Sequence, residues 1–512
     1  MPLFHQFIEN NARRTPDKSA LVIDGVHTPY DVLETRATQI AALLIKCGVK
    51  CGDRVALYSG ISADLIAAFL AVLKVGAITA ATHPTYSRSK LLYQLKHTDA
   101  RVLFTDRYED PEALVSQTSL ETILVFSTKQ DLPAEAPSLG KALDTLTPQD
   151  LERALPDIDE HLPTSIFYTS GSTFNPKGVV VNHPIMIAAA TSVIDYLGNT
   201  ASDVILSYST LASDYGVYNI MMPLFFGGTA VIESRTANCA DDVLEVIKRE
   251  HVTGLHVFPP VFFLLASMGE HWQGQLPSLR YISSSGQPLY PRHIQQIREA
   301  LPNVDIFSNY GLTECKRVSY LPPSDIALRP GSVGKPLKGV HALIVNEQDE
   351  PITEPEVVGE LLVSSNYLML EYWKMPEETT RAFKYNSFGR DRFYRTGDFF
   401  RRDAQGYLYY VCRKDDLFAR HLWKVNPREI EQCLASHPSV AQVVVVPVAD
   451  EAAGFVPKAC VVLEADCQDT TEQMLLDHCQ ALLDWHMVPA QWAFMDTLPK
   501  TDSGKITAKG LI

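Results

Sequence analysis

An α/β fold, with a large N-terminal lobe of layered helices and strands and a small α+β C-terminal lobe, is what this sequence predicts. Three features point to it. The chain has 512 residues, 46% hydrophobic and 21% charged, enough to bury a large core and to divide into more than one unit. Helical and strand patterns alternate along most of its length, as layered α/β folds require. A charge cluster, VCRKDD at 411–416, then follows the strand-like GYLYY, and a fresh pattern begins beyond it.

From the N-terminus, the stretch MPLFHQFIENNARRTPDK lacks the basic-then-apolar order of a signal peptide. No apolar run reaches the roughly 18 residues that a spanning helix needs. Residues 62–75, SADLIAAFLAVLKV, read as a helix, and RVLFTD at 101–106 as a strand. From about 128 to 163 the chain is rich in Pro, Asp, Glu and Leu with little periodicity, a surface excursion. TAVIES at 229–234 and GLHVF at 254–258 read as strands. After the charge cluster, REIEQCLASH reads as a helix, and AQVVVVPV and KACVVLEA as strands. The chain therefore divides at residues 1–414 and 415–512, with no internal repeat.

A formal net charge of −15 and a pI near 5.5 leave no footprint for nucleic acid or an anionic membrane surface. The nine cysteines are odd in number and lack zinc-type spacing, which fits reduced thiols in a cytoplasm. His83, His183, His421 and His486 show no metal-ligand spacing and read as solvated or core histidines.

The stretch YTSGSTFNPKGV at 168–179 carries the first chemical signal. A loop that wraps a polyphosphate needs glycines for close backbone approach, hydroxyls as donors and a cation. Thr169, Ser170, Gly171, Ser172, Thr173, Lys177 and Gly178 supply all three. The pattern is not G-x-x-x-x-G-K-[ST], since Lys177 precedes its glycine. It resembles the phosphate loop of the adenylate-forming (AMP-binding) enzymes: acyl-CoA synthetases, peptide-synthetase adenylation domains and luciferases. Within them the chain is most similar to stand-alone amino-acid or acyl adenylating ligases. Phe174 stands where that family has glycine, and if the position requires positive φ a phenylalanine is strained there.

Further matches follow in the family's order. SSGQPL at 284–289 resembles its adenine-side segment, which implicates Gly286, Gln287 and Pro288. NYGLTE at 309–314 resembles its aromatic and acidic motif. The resemblance implies that Asn309, Tyr310 and Gly311 bind ATP or AMP, with the Tyr310 ring stacking on adenine and Asn309 also lining the acyl pocket, that Thr313 touches phosphate, and that Glu314 helps hold Mg²⁺. YRTGD at 394–398 resembles the ribose motif, with Asp398 accepting from two hydroxyls and Arg413 beside the same ribose or the phosphates. PKTDSGKI at 499–506 matches the closing motif, which makes Lys505 the catalytic lysine.

The resemblance implies attack of a carboxylate on the α-phosphate of ATP, giving an acyl-adenylate and pyrophosphate. Two anions must meet, so fixed positive charge is the main requirement, with Lys505, Lys177 and Mg²⁺ as its sources and Thr313 and Glu314 at the reacting end. The small lobe of such enzymes is mobile: it rotates about a hinge, matched here by Asp415, and a thiol of CoA or of a carrier-protein phosphopantetheine takes the acyl group. Two departures bear on that transfer. Ala419 removes a lysine of the family's post-hinge loop, and Leu422 replaces a glycine lining the thiol tunnel.

For the acid itself, LASDYGVYNIMMPL at 211–224 lines up with the segment in which amino-acid-activating domains carry an aspartate for the substrate ammonium, which points to Asp214. The same residue also reads as a helix cap, since Ser213 and Asp214 precede an amphipathic stretch. Tyr215, Tyr218, Val257, Ser283, Ser285, Arg317 and Val318 complete the expected acyl wall, with Arg317 either facing a substrate oxygen or making structural contacts. The expected activity is loading of an amino acid onto a separate carrier protein, since the chain ends seven residues after Lys505. The alternatives are an acyl-CoA ligase for a non-amino acid and a catalytically silent binding protein.

Overall fold

A computed structural model describes residues 2–108, 110–126, 136–169, 176–234, 240–257, 259–268, 272, 274–286, 289, 291–421, 423–450, 453–467, 469–500, 506–508, 510 and 511. Short runs of Val, Ile, Leu and Ala, apolar on both faces, form parallel strands that must be covered on both sides. Arg54–Tyr58, Ile78–Ala81, Val102–Thr105 and Thr122–Val125 form such a sheet, extended by the hairpin Pro163–Tyr168 and Gly178–Asn182. The helix expected over 62–75 is Ala63–Lys74, started by the Ser62 hydroxyl, which accepts from the Leu65 amide at 3.1 Å. Its side chains from Leu65 to Lys74 are buried all round, which explains an apolar pattern with no polar face.

A second, larger sheet has a parallel half and an antiparallel half. Thr229–Ile232, Val204–Ser207, Gly254–Val257, Tyr281–Ser285 and Asp305–Leu312 lie side by side in parallel. The hairpin Asp305–Leu312 to Lys316–Leu321 then reverses direction, and Ser332–Pro336, Leu408–Arg413, Arg390–Arg402, Gly359–Ser364 and His341–Val345 continue antiparallel. The strands expected at 101–106, 229–234 and 254–258 occur as Val102–Thr105, Thr229–Ile232 and Gly254–Val257. The described part of the excursion near 128–163 holds two five-residue helices, Leu139–Leu143 and Pro148–Glu152.

One turn of helix, Lys414–Asp416, separates this sheet from the C-terminal one. There Phe418–Arg420, Trp423–Val425, Val440–Asp450, Gly454–Leu463 and Gln491–Phe494 form a five-stranded sheet packed on the helices Pro427–Ala435 and Glu472–Leu482. Arg292 ties the two parts together by donating to the Val440 carbonyl at 2.6 Å. Among the described residues, no helix is long and apolar enough to cross a membrane.

Candidate active site

Open α/β sheets bind ligands beyond the C-terminal ends of their strands. Ser285 and Gly311, near the ends of Tyr281–Ser285 and Asp305–Leu312, line a cleft of about 2690 Å³ there. The facing wall comes from the C-terminal part, including Arg428, Pro499, Lys500, Ile506 and Thr507. Lys505 lies outside the described residues; Lys500 and Ile506 border this cleft.

The phosphate-loop motif joins two antiparallel strands, Tyr168 pairing with Gly178, and the Thr169 amide donates to the Lys177 carbonyl at 3.0 Å to close its base. Ser170, Gly171, Ser172, Thr173 and Phe174 lie outside the described residues. Lys177 reaches the cleft with its Nζ 2.9 Å from Glu378 Oε2 and 5.0 Å from the centre of the Tyr372 ring. The hydrogen bond from Lys177 holds the Glu378 carboxyl below its ordinary range.

Thr313 and Glu314 sit on the turn between the strands Asp305–Leu312 and Lys316–Leu321, and both line the cleft. The Tyr372 hydroxyl donates to Glu314 Oε1 at 2.9 Å, and the Glu314 carbonyl accepts from the Met369 amide at 2.7 Å. A Cβ on Gly311 would stand 1.9 Å from the Lys316 carbonyl oxygen, so only glycine permits this close return of the chain. Lys316 itself adopts a left-handed φ of +56°.

Where the ribose motif was expected, Asp398 pairs with Arg413 on the neighbouring strand, whose Nη1 lies 3.6 Å from Asp398 Oδ1. The Tyr310 hydroxyl donates to Asp398 Oδ2 at 2.6 Å, while its ring meets Phe400 edge-on. Burial pushes the Asp398 carboxyl up to about 6, against the opposing pull of Arg413 and Tyr310. Gly286, Arg413 and Asp415 border the cleft. Gln287 and Pro288 lie outside the described residues.

The expected acyl wall falls on one face of the helix Asp214–Phe226. Ser213, not Asp214, caps it, accepting from the Gly216 amide at 3.0 Å. Asp214, Tyr215, Tyr218, Asn219 and Met222 then fall on one face at helical spacing, and all line the cleft. Lys316 Nζ lies 2.6 Å from Asp214 Oδ1 and 2.8 Å from the Thr313 carbonyl, with the rings of Phe167 and Tyr218 at 5.1 and 5.9 Å. Burial raises the Asp214 carboxyl against the pull of Lys316. Asp214, expected to await a substrate ammonium, is therefore already paired within the protein.

Six expected contacts do not line the cleft: Tyr310, expected as a stacking platform, and Asp398 are buried against each other, and four more are set back by depth and strand parity. Val257 turns its side chain into the helix-packed core and offers only its carbonyl, which accepts from Tyr215 at 3.2 Å. Val318 points to the face opposite its neighbour Arg317 and is fully buried. Ser283 sits two residues deeper than Ser285 and is also fully buried. Asn309 lies beneath the cleft floor, its Nδ2 donating to Ser283 Oγ and the Ser284 carbonyl and its Oδ1 accepting from Tyr196. Sequence reading missed Lys316, Glu378, Tyr372 and Asn219. Of these, Asn219 was open to it, since it lies five residues after Asp214 on the same helical face.

Comparison with known proteins gives the same picture along the whole chain. The family model described as AMP-binding enzyme matches residues 8–373, and that described as AMP-binding enzyme C-terminal domain matches residues 429–505. A linear gramicidin synthase of Brevibacillus parabrevis is 30% identical over 99% of this chain, which spans 6% of that protein's length. The anthranilate CoA ligase AuaEII, solved with anthranoyl-AMP, matches with a TM-score of 0.87 at 26% identity, over 99% of this chain and 95% of that one. The o-succinylbenzoate coenzyme A synthetase MenE of Bacillus subtilis, solved with ATP and magnesium ion, matches with a TM-score of 0.81 at 25% identity, over 98% of each.

Proposed function

The chain belongs to the AMP-binding enzyme family of acyl-adenylate-forming ligases, and we propose that it activates a small carboxylic acid without an α-ammonium group and passes the acyl group to a phosphopantetheine thiol. The observation that carries the acid class is the buried Lys316–Asp214 pair at 2.6 Å. A carboxylate that already has a cation gains little from a second one, and displacing Lys316 would strand that charge in a dry pocket.

In this reading the substrate carboxylate oxygen bonds to the α-phosphorus of ATP as the bond to pyrophosphate breaks. Lys177 leaves Glu378 for the phosphates, and Asp398 accepts the ribose hydroxyls. Tyr310, Gly286 and the segment with Gln287 and Pro288 border the adenine. The residues present suit magnesium: Glu314 Oε2 has no donor among the described residues, and one carboxylate plus phosphate oxygens is ordinary magnesium ligation, which when bound neutralises phosphate charge. Lys505 supplies the remaining cation at the reacting oxygens. We place the division between lobes 1–414 and 415–512 at Asp415, about which the smaller lobe turns before the thiolate attacks the acyl carbon and AMP leaves.

The thiol belongs to a phosphopantetheine arm, which CoA and a carrier protein acting in trans have in common. Similarity to a CoA synthetase and to a gramicidin synthase supports the arm without separating its two sources. An amino-acid substrate is the second reading, favoured by the place of Asp214 on the cleft wall, and requires its ammonium to use the carboxylate's other oxygen. ATP–pyrophosphate exchange across amino acids, their deamino analogues and simple acids tests both readings. Exchange confined to α-amino acids overturns the first. Consumption of free CoA, set against acylation of a holo carrier protein, identifies the acceptor.

A further inference from the structure

Among the described residues, no anionic group answers the charge of Arg317 in the cleft. This arginine follows Lys316 on the same strand and lines the cleft, its guanidinium 6.0 Å from the centre of the Tyr215 ring. No carboxylate or hydrogen-bond acceptor among the described residues reaches it. The acids nearby are taken: Asp214 by Lys316 and Glu314 Oε1 by the Tyr372 hydroxyl. His256 carries no charge there, because burial, and then the Arg317 charge itself, hold it neutral with a pKa near 3.

Two further polar groups on the same wall lack partners. The Tyr218 hydroxyl and Asn219 Nδ2 are buried without a hydrogen bond among the described residues. Burial raises the Tyr215 phenol, against the pull of Arg317 and of the Asn219 amide beside it. Unpaired buried donors are costly, and a native site that holds them commonly pairs them with a ligand. Arg317 and Asn219 Nδ2 donate only, and Tyr218 can donate, so the missing group is an acceptor, and beside an arginine an anionic one. Between these groups the wall is apolar, with Met222 one turn further along the helix and Ala189 and Val193 on the neighbouring helix His183–Leu197.

We propose that the acid activated here is a dicarboxylic acid, whose reacting carboxylate meets ATP while its distal carboxylate is held by Arg317, Tyr218 and Asn219 across an apolar spacer. This rests on the reading of the cleft as an adenylating site. Arg317 is then a specificity-determining residue, with no part in the bond changes.

The test is ATP–pyrophosphate exchange by the full chain, with dicarboxylic acids from succinic to suberic and isophthalic acid set against their monoacids, butyric to octanoic and benzoic. In the wild type the best diacid exceeds its monoacid in kcat/KM by roughly 100-fold, and Arg317→Ala brings that ratio to about one by raising KM for the diacid by about the same factor, as expected when one partner of a desolvated charge pair is lost. Arg317→Lys retains part of the preference, which a misfolded variant would not. Monoacids preferred by the wild type, or a ratio unchanged in Arg317→Ala, overturn the proposal while leaving adenylation intact. Absence of exchange with every acid overturns both. Should the reacting carboxylate be the group on Arg317, the variant loses diacid and monoacid alike, and that outcome also sinks the proposal.

Discussion

Lys316 Nζ lies 2.6 Å from Asp214 Oδ1, joining residues 102 positions apart inside the acyl wall. Removing one partner of a buried ion pair costs about 3–5 kcal/mol, because the other charge is left in a medium that cannot solvate it. Lys316→Met should therefore lower unfolding stability by that amount, and Lys316→Met with Asp214→Leu should restore most of it. Denaturant melts of the three proteins decide this, and a single variant as stable as the wild type removes the pair from the stability account. In Lys316→Ala, Asp214 is released, and the preference for an amino acid over its deamino analogue should rise.

Asp398 gives a pH dependence. Its folded pKa of about 6 lies above the ordinary aspartate value of 3.8, so the folded chain holds the proton longer. The contribution is present below pH 4 and is lost as pH rises through 6, by roughly 3 kcal/mol. The stability difference between wild type and Asp398→Asn should follow that curve. Ribose hydroxyls need the ionised form as acceptor, so ATP affinity should fall about tenfold from pH 7 to pH 5. A flat affinity profile over that range counts against the ribose role.

Lys177 rests on Glu378, a partly exposed pair whose expected worth is about 0–1 kcal/mol. With Lys177 in the proposed phosphate role, ATP has to compete with that carboxylate. Glu378→Gln should lower the ATP KM by up to about fivefold, while Glu378→Lys, adding a cation, should lower it further. An ATP KM that rises in both variants places Glu378 in the phosphate site itself.

Lys505→Ala should lose adenylation by on the order of 10²–10³ with its melting transition preserved, the usual cost of one donor aimed at developing charge. Exchange within threefold of wild type removes Lys505 from the reaction.

At the one-turn helix Lys414–Asp416, Asp415→Pro should spare pyrophosphate exchange and block thioester formation, since proline fixes φ near −65°. Equal loss in both assays argues against turning at this residue.

Local features were legible in the order of residues. Strand and helix periods marked Ala63–Lys74, Thr229–Ile232 and Gly254–Val257 within one or two residues. The order of short motifs pointed to the family, because the motif at 168–179 and the Thr313–Glu314 turn each lie on one continuous stretch of sequence. What those side chains meet was settled by packing alone. Glu378 comes to Lys177 across 201 positions and Lys316 to Asp214 across 102. Such pairs depend on how a helix packs over a hairpin, which no local pattern encodes. Depth was hidden in the same way: alternation along a strand gives the face on which Ser283 and Ser285 lie, but where the cleft floor crosses that strand is set by the elements packed around it, and it leaves Ser285 in the cleft and Ser283 beneath it.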